Sequence, residues 1–204
     1  MRTIRQLYLG VILAATTALS SGCASQPRPE PLAVTVLRVK GEARFSMDGK
    51  TWQPLKKNDF LKDGALIQTA PKSLADICFG EKPPEPPAFR PSSSFATSSA
   101  PRFRTTRIFQ NSALKIEKAV RQNRPGLNHW SDKSLKEEIK VNLRAGEIIG
   151  NTISSSDNPK YQVGFDQGVI TFPRDTAYML SARGMFRIVN GTASVFLAGK
   201  NRTL

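Results

Sequence analysis

Few side chains in this chain of 204 residues could do covalent or metal chemistry: one histidine, His129, and two cysteines, Cys23 and Cys78. His129 stands beside Trp130 in a polar stretch marked by Pro125 and Gly126. It has no Gly-x-Ser-x-Gly elbow to serve, so the usual triad signatures are missing. A metal centre needs several converging ligands, and no second histidine, cysteine or placed carboxylate accompanies His129, which reads as a surface residue. Asp157, Asp166 and Asp175 recur every nine residues, which invites a calcium-ladder reading. They lack the Gly-Gly-x-Gly-x-Asp context of such a ladder and read as turn aspartates. No Gly-rich phosphate loop precedes a helix. A carboxylate pair for glycoside hydrolysis needs only spatial proximity, and nothing in the sequence points to one. The chain therefore reads as non-enzymatic, with no catalytic residue, no metal ligand and no cofactor.

Cys23 is the exception. Arg2 and Arg5 form a basic n-region, and residues 7–19 form an apolar stretch of secretory type, short of the roughly 20 apolar residues that span a bilayer. Small residues Ser20, Ser21 and Gly22 then precede Cys23, an order that resembles the bacterial lipobox. That likeness implies cleavage after residue 22, diacylation of Cys23 and N-acylation with a palmitate-type chain. The alternative is an ordinary signal peptide with Cys23 incidental. Two or more acyl chains anchor stably where one is marginal. Ala24, rather than aspartate, follows the cysteine, which by likeness to enterobacterial sorting favours the outer membrane. Residues 23–33 contain the run Gln26-Pro27-Arg28-Pro29-Glu30-Pro31. They read as a Pro-rich tether reaching on the order of 30 Å if extended.

Net charge is +14, and falls to +12 without Arg2 and Arg5, the only charged groups of residues 1–22. Such a balance permits anionic partners. Export argues against nucleic acid and leaves the membrane itself, envelope polysaccharide, lipopolysaccharide or a protein partner; a basic surface with no partner is the bland alternative. With Cys23 acylated, Cys78 is a lone thiol in an apolar strand and reads as a buried small hydrophobe.

The elements that must carry any site are strands. From Val34, apolar and polar residues alternate in short pieces, the period of a half-buried strand. Ala75, Ile77 and Phe79 share one parity, as do Ile139, Val141 and Leu143, and Gly41, Asp48-Gly49, Asp63-Gly64 and Gly80 punctuate the run. Residues 161–163, 168–172, 176–180, 185–189 and 193–197 read as further strands, and residues 112–118 as a strand with a helix as rival. Ser131 before Leu135 could cap one helical turn. Trp52 is expected in the core against Leu55, Leu66 and Ile67. Residues 81–107, rich in proline and serine and then in arginine and phenylalanine, read as a long inserted loop, either functional or disordered. The domain is expected over residues 34–200.

Gly41 before a strand, Trp52-Gln53-Pro54-Leu55, the run from Leu61 through Gly64 and Ile67 to Thr69, and Ala75-Asp76-Ile77 stand in the order and spacing of a FecR-like domain, which this stretch resembles. Arg174-Asp175-Thr176 matches the family's arginine–glycine–threonine turn with aspartate in the glycine's place. The resemblance implies an all-β, twisted β-solenoid-like stack. Strand, glycine, strand spacing alone leaves a β-sandwich open. Family members proper relay signals through a cytoplasmic segment and a spanning helix to a sigma factor. A secretory-type start stands in their place here, so that role is not expected. The expected function is a lipid-anchored, periplasm-facing binding or scaffolding protein of the cell envelope. The competing class is an enzyme or enzyme accessory acting on envelope polysaccharide.

Overall fold

The computed structural model describes residues 29–80, 104–122, 136–153, 158–197 and 200–203, and all regular structure in them is β. Sheet I runs in the order β17 (Lys200–Thr203), β16 (Ser194–Leu197), β13 (Gly168–Phe172), β12 (Asn158–Phe165), β10 (Lys136–Ala145), β9 (Ala113–Gln122), β6 (Leu66–Thr69), β3 (Ala43–Ser46) and β4 (Gln53–Pro54), with β1 (Glu30–Pro31) also paired to β9. Sheet II runs β15 (Phe186–Asn190), β14 (Ala177–Ser181), β11 (Glu147–Asn151), β8 (Arg104–Ile108), β7 (Leu74–Phe79), β2 (Val34–Lys40) and β5 (Phe60–Leu61).

The alternating residues seen in the sequence fill one core between these sheets. Ile116, Ile139, Val141, Leu143 and Ile170 come from sheet I, and Val36, Ile77, Ile108, Ile148 and Leu180 from sheet II, all fully buried. Aromatic rings bind the layers together: Phe172 of β13 stacks on Tyr178 of β14 with centroids 4.0 Å apart, and Phe79 meets Tyr161 edge-on at 5.9 Å. Two facing sheets over a shared core make a β-sandwich-like arrangement. The solenoid reading is not confirmed. Stacked coils pair each strand in parallel with its counterpart in the next coil, whereas here β10–β12 is parallel and the other described pairings are antiparallel.

The chain crosses between sheets at residues with positive φ: Gly41, Lys72, Asn111, Gly146, Asp175 and Gly191. Asp175, at φ 61°, holds the left-handed conformation that glycine adopts freely and aspartate tolerates, so the Arg174-Asp175-Thr176 corner needs no glycine. At Gly146 a Cβ would lie 2.1 Å from Ser112 Oγ. The glycine lets that oxygen accept the Glu147 N–H at 3.0 Å while donating to the Glu147 carbonyl at 3.2 Å.

Several boundaries differ from expectation. The tether's last residues belong to the fold: β1 pairs with β9, and Leu32 is buried and donates its N–H to the Ala119 carbonyl. The insertion ends earlier than residue 107, because β8 starts at Arg104 and buries Arg104, Thr106 and Ile108. The domain continues past residue 200 into β17. Residues 112–118 lie in strand, the helical rival failing because Leu114 and Ile116 share the buried face while Lys115 and Glu117 do not. Trp52 is outside the core: it is half-buried beneath Arg44, whose guanidinium carbon is 4.4 Å from the ring centroid. Cys23 and its lipidation, the 1–22 signal segment, the insertion over 81–103, and His129, Trp130 and Ser131 lie outside the described residues.

Candidate anion-binding site

Register brings one end of the sandwich into focus. The chain arrives there before β1 and leaves it after Gly80, Gln122 and Ile153, since Val34 pairs with Phe79, Arg121 with Glu30 and Glu137, and Thr152 with Thr176. On the outer face of sheet I at this end lies a groove of about 1050 Å³. Lys118 of β9, Lys136 of β10, Lys160 of β12 and Arg174 of the β13–β14 corner line it, with Glu138, Asp175 and the buried Glu137 as its acids.

Strand alternation explains why these amines stand together. Ile139, Val141 and Tyr161 point into the core, so Lys136, Glu138, Lys140 and Lys160 point out. Glu138 faces Lys160 across the parallel β10–β12 pair and Val120 across the antiparallel β9–β10 pair. Lys118 Nζ donates to Glu138 Oε2 at 2.5 Å, and Arg174 Nε lies 3.6 Å from Asp175 Oδ2. Among the described residues no carboxylate pairs with Lys136 or Lys160. Farther along the same face Lys140 pairs with Glu117 at 3.0 Å, while Lys115 and Arg144 have no such partner among the described residues. The face thus carries a cationic surplus with its surplus amines in or beside the groove.

Beneath the groove the polar groups are consumed by structure. Glu137 is buried and takes Arg104 of sheet II on one oxygen and Arg121 on the other, the latter at 3.1 and 3.2 Å. Burial pulls the Arg104 guanidinium down to about 10. Tyr178 donates to the Tyr161 hydroxyl at 3.0 Å, and that hydroxyl lies 3.0 Å from Thr106 Oγ1. Both tyrosines are buried, which raises the point at which each would ionise. Cys78 is buried, as expected, and burial pushes its thiol up to about 11 against the opposing pull of Arg104. A thiol so protonated is a poor nucleophile.

Asp166 sits in the β12–β13 turn and Asp175 at the far end of β13, with the whole strand between them. No three His, Cys, Asp or Glu side chains converge among the described residues. Sequence reasoning marked Arg174 only as part of a turn and did not single out Lys118, Lys136 or Lys160. The one signal was parity: each lysine alternates with core residues and so must face solvent, yet nothing in the sequence says that β9, β10 and β12 are neighbours. Comparison with protein-family models, with curated proteins and with solved structures gives no match for this chain.

Proposed function

We propose that this is a lipid-anchored, non-catalytic binding module of the bacterial cell envelope, acylated at Cys23 and facing the periplasm. Its ligand is an anionic envelope polymer held on the outer face of sheet I. The observation that carries this reading is the groove itself. Two lysines without a carboxylate partner among the described residues, Lys136 and Lys160, stand beside Lys118 and Arg174 at the end of the sandwich where β1 enters. β1 lies only seven residues after Cys23, so an acylated Cys23 keeps the groove on the side of the domain nearest the lipid.

Exposed amines of this kind bind by long-range attraction that salt screens over about 10 Å at 0.1 M. Binding of the purified chain to isolated lipopolysaccharide and peptidoglycan, followed across ionic strength, tests the reading. Affinity should fall steeply with salt, with no released product. Salt-insensitive binding favours a shaped pocket, and product release favours an enzyme. Mass spectrometry of the mature N-terminus tests the anchor: an unmodified, cleaved terminus contradicts acylation at Cys23.

A further inference from the structure

A second cluster on the same face, at its far edge, is built differently. Arg44 of β3 faces Gln68 of β6 across the sheet and Pro54 of β4 on the other side. Its Nε and Nη2 both donate to Gln68 Oε1, at 3.1 and 2.9 Å, and its Cζ lies over the Trp52 ring, 4.4 Å from the centroid. An exposed arginine ordinarily samples many rotamers. This one is held in plane by the amide and from below by the indole, so the ordering cost of binding is already met in the folded protein. The grip uses two of the guanidinium's five N–H groups. The fork formed by Nη1 and the remaining Nη2 hydrogen has no partner among the described residues, and this edge accepts a carboxylate end-on.

The surroundings narrow the ligand. Arg44, Trp52, Gln68 and Glu42 line one depression of about 620 Å³ with Pro54 and Leu55. With Gln68 Oε1 taken, its amide nitrogen is left to donate. The Trp52 indole N–H makes no hydrogen bond among the described residues. Glu42 is an acceptor and repels a purely anionic group. A ligand that satisfies both ends carries an acid at Arg44 and hydroxyls at Glu42, with an acceptor for the indole N–H.

We propose that Arg44, Trp52, Gln68 and Glu42 form a binding site for an acidic saccharide, with the sugar carboxylate on the Arg44 fork. This extends the polymer-binding reading and is separable from it. The nearest groove strand is β9, two strand steps from β3, and Lys118 lies five residues along it from Ala113, the partner of Gln68. Together these separate Arg44 from Lys118 by about 19 Å, so the depression and the groove are distinct sites.

The test is titration calorimetry of the purified chain with tetragalacturonate, with maltotetraose as the neutral control and inorganic phosphate as competitor. Tetragalacturonate should bind and maltotetraose should not. Arg44→Gln should weaken binding by about tenfold or more, the loss expected for a charged hydrogen bond. Arg44→Lys, which keeps the charge and loses the fork, should also weaken it. Lys62→Gln, which lies outside both the depression and the groove, should leave it unchanged, and thermal midpoints should stay near the parent value. The assignment is overturned if tetragalacturonate does not bind, if a folded Arg44→Gln variant binds it equally, or if phosphate displaces it as well as digalacturonate does. Any of these results, with polymer binding intact, removes this site and leaves the groove standing.

Discussion

Arg104 and Glu137 form an ion pair across the two sheets, at 5% and 1% side-chain exposure. Each lies at a strand start, on β8 and β10, and Arg121 completes the acid's second oxygen. Removing one partner of a buried pair leaves an uncompensated charge, which costs about 3–5 kcal/mol. Glu137→Ala should therefore destabilise the domain by that amount in urea unfolding. Combining Arg104→Met with Glu137→Leu should recover much of the loss, because the desolvation of both charges disappears with them. An unchanged unfolding midpoint in Glu137→Ala would mean that the pair contributes nothing.

The buried tyrosines predict an alkaline limit. Desolvation raises the ionisation of Tyr161 and Tyr178 in the folded state above the unfolded value near 10. The folded protein then keeps protons that the unfolded chain releases, so stability is complete below about pH 10 and falls as pH rises beyond it. In the chain cleaved after residue 22, which lacks Tyr8, tyrosinate absorbance should appear together with loss of tertiary structure rather than before it. Tyrosinate that forms while the protein stays folded would contradict the burial of both hydroxyls.

Where the inserted segment ends can be tested by two grafts. Replacing residues 82–102 with a short Gly/Ser linker keeps β8 whole, and loop closure changes by only about 0.6 kcal/mol per doubling of length. That variant should retain the parent circular dichroism and thermal midpoint. Replacing residues 82–106 deletes Arg104, Thr105 and Thr106, and with them the partners of Glu137, Asn151 and Tyr161. It should fail to fold. Equal stability of the two grafts would show that β8 is dispensable.

Parity made most of the strands legible. Ala75, Ile77 and Phe79, or Ile139, Val141 and Leu143, state their buried face in the sequence because the side-chain period of a strand is two. What parity cannot state is pairing. The parallel β10–β12 contact joins strands separated by β11 of the other sheet, and solenoid and sandwich differ in just such contacts. Trp52 misled because indole area suggests burial, whereas β4 is a two-residue edge strand with space on its outer face. Arg104 misled in the opposite sense. Set among Arg102, Phe103 and Arg107 it reads as a solvated charge, and only the placement of Glu137 on the facing sheet makes its burial tolerable. Lys136, Lys160 and Arg174 come from three separate elements, so the groove could not be assembled without the register.

The most direct test of the account is binding of lipopolysaccharide or peptidoglycan by a Lys136→Glu/Lys160→Glu/Arg174→Glu variant, beside a control in which Lys40, Lys56 and Lys62, none of them groove-lining residues, are reversed instead. Surface substitutions of this kind shift stability little, usually within about 0.5 kcal/mol, so both variants should fold. The account predicts that the groove variant loses binding and the salt dependence that accompanies it, while the control, with the same net charge, retains most of both. Equal losses in the two variants would contradict it, because net charge and not the groove would then account for the binding.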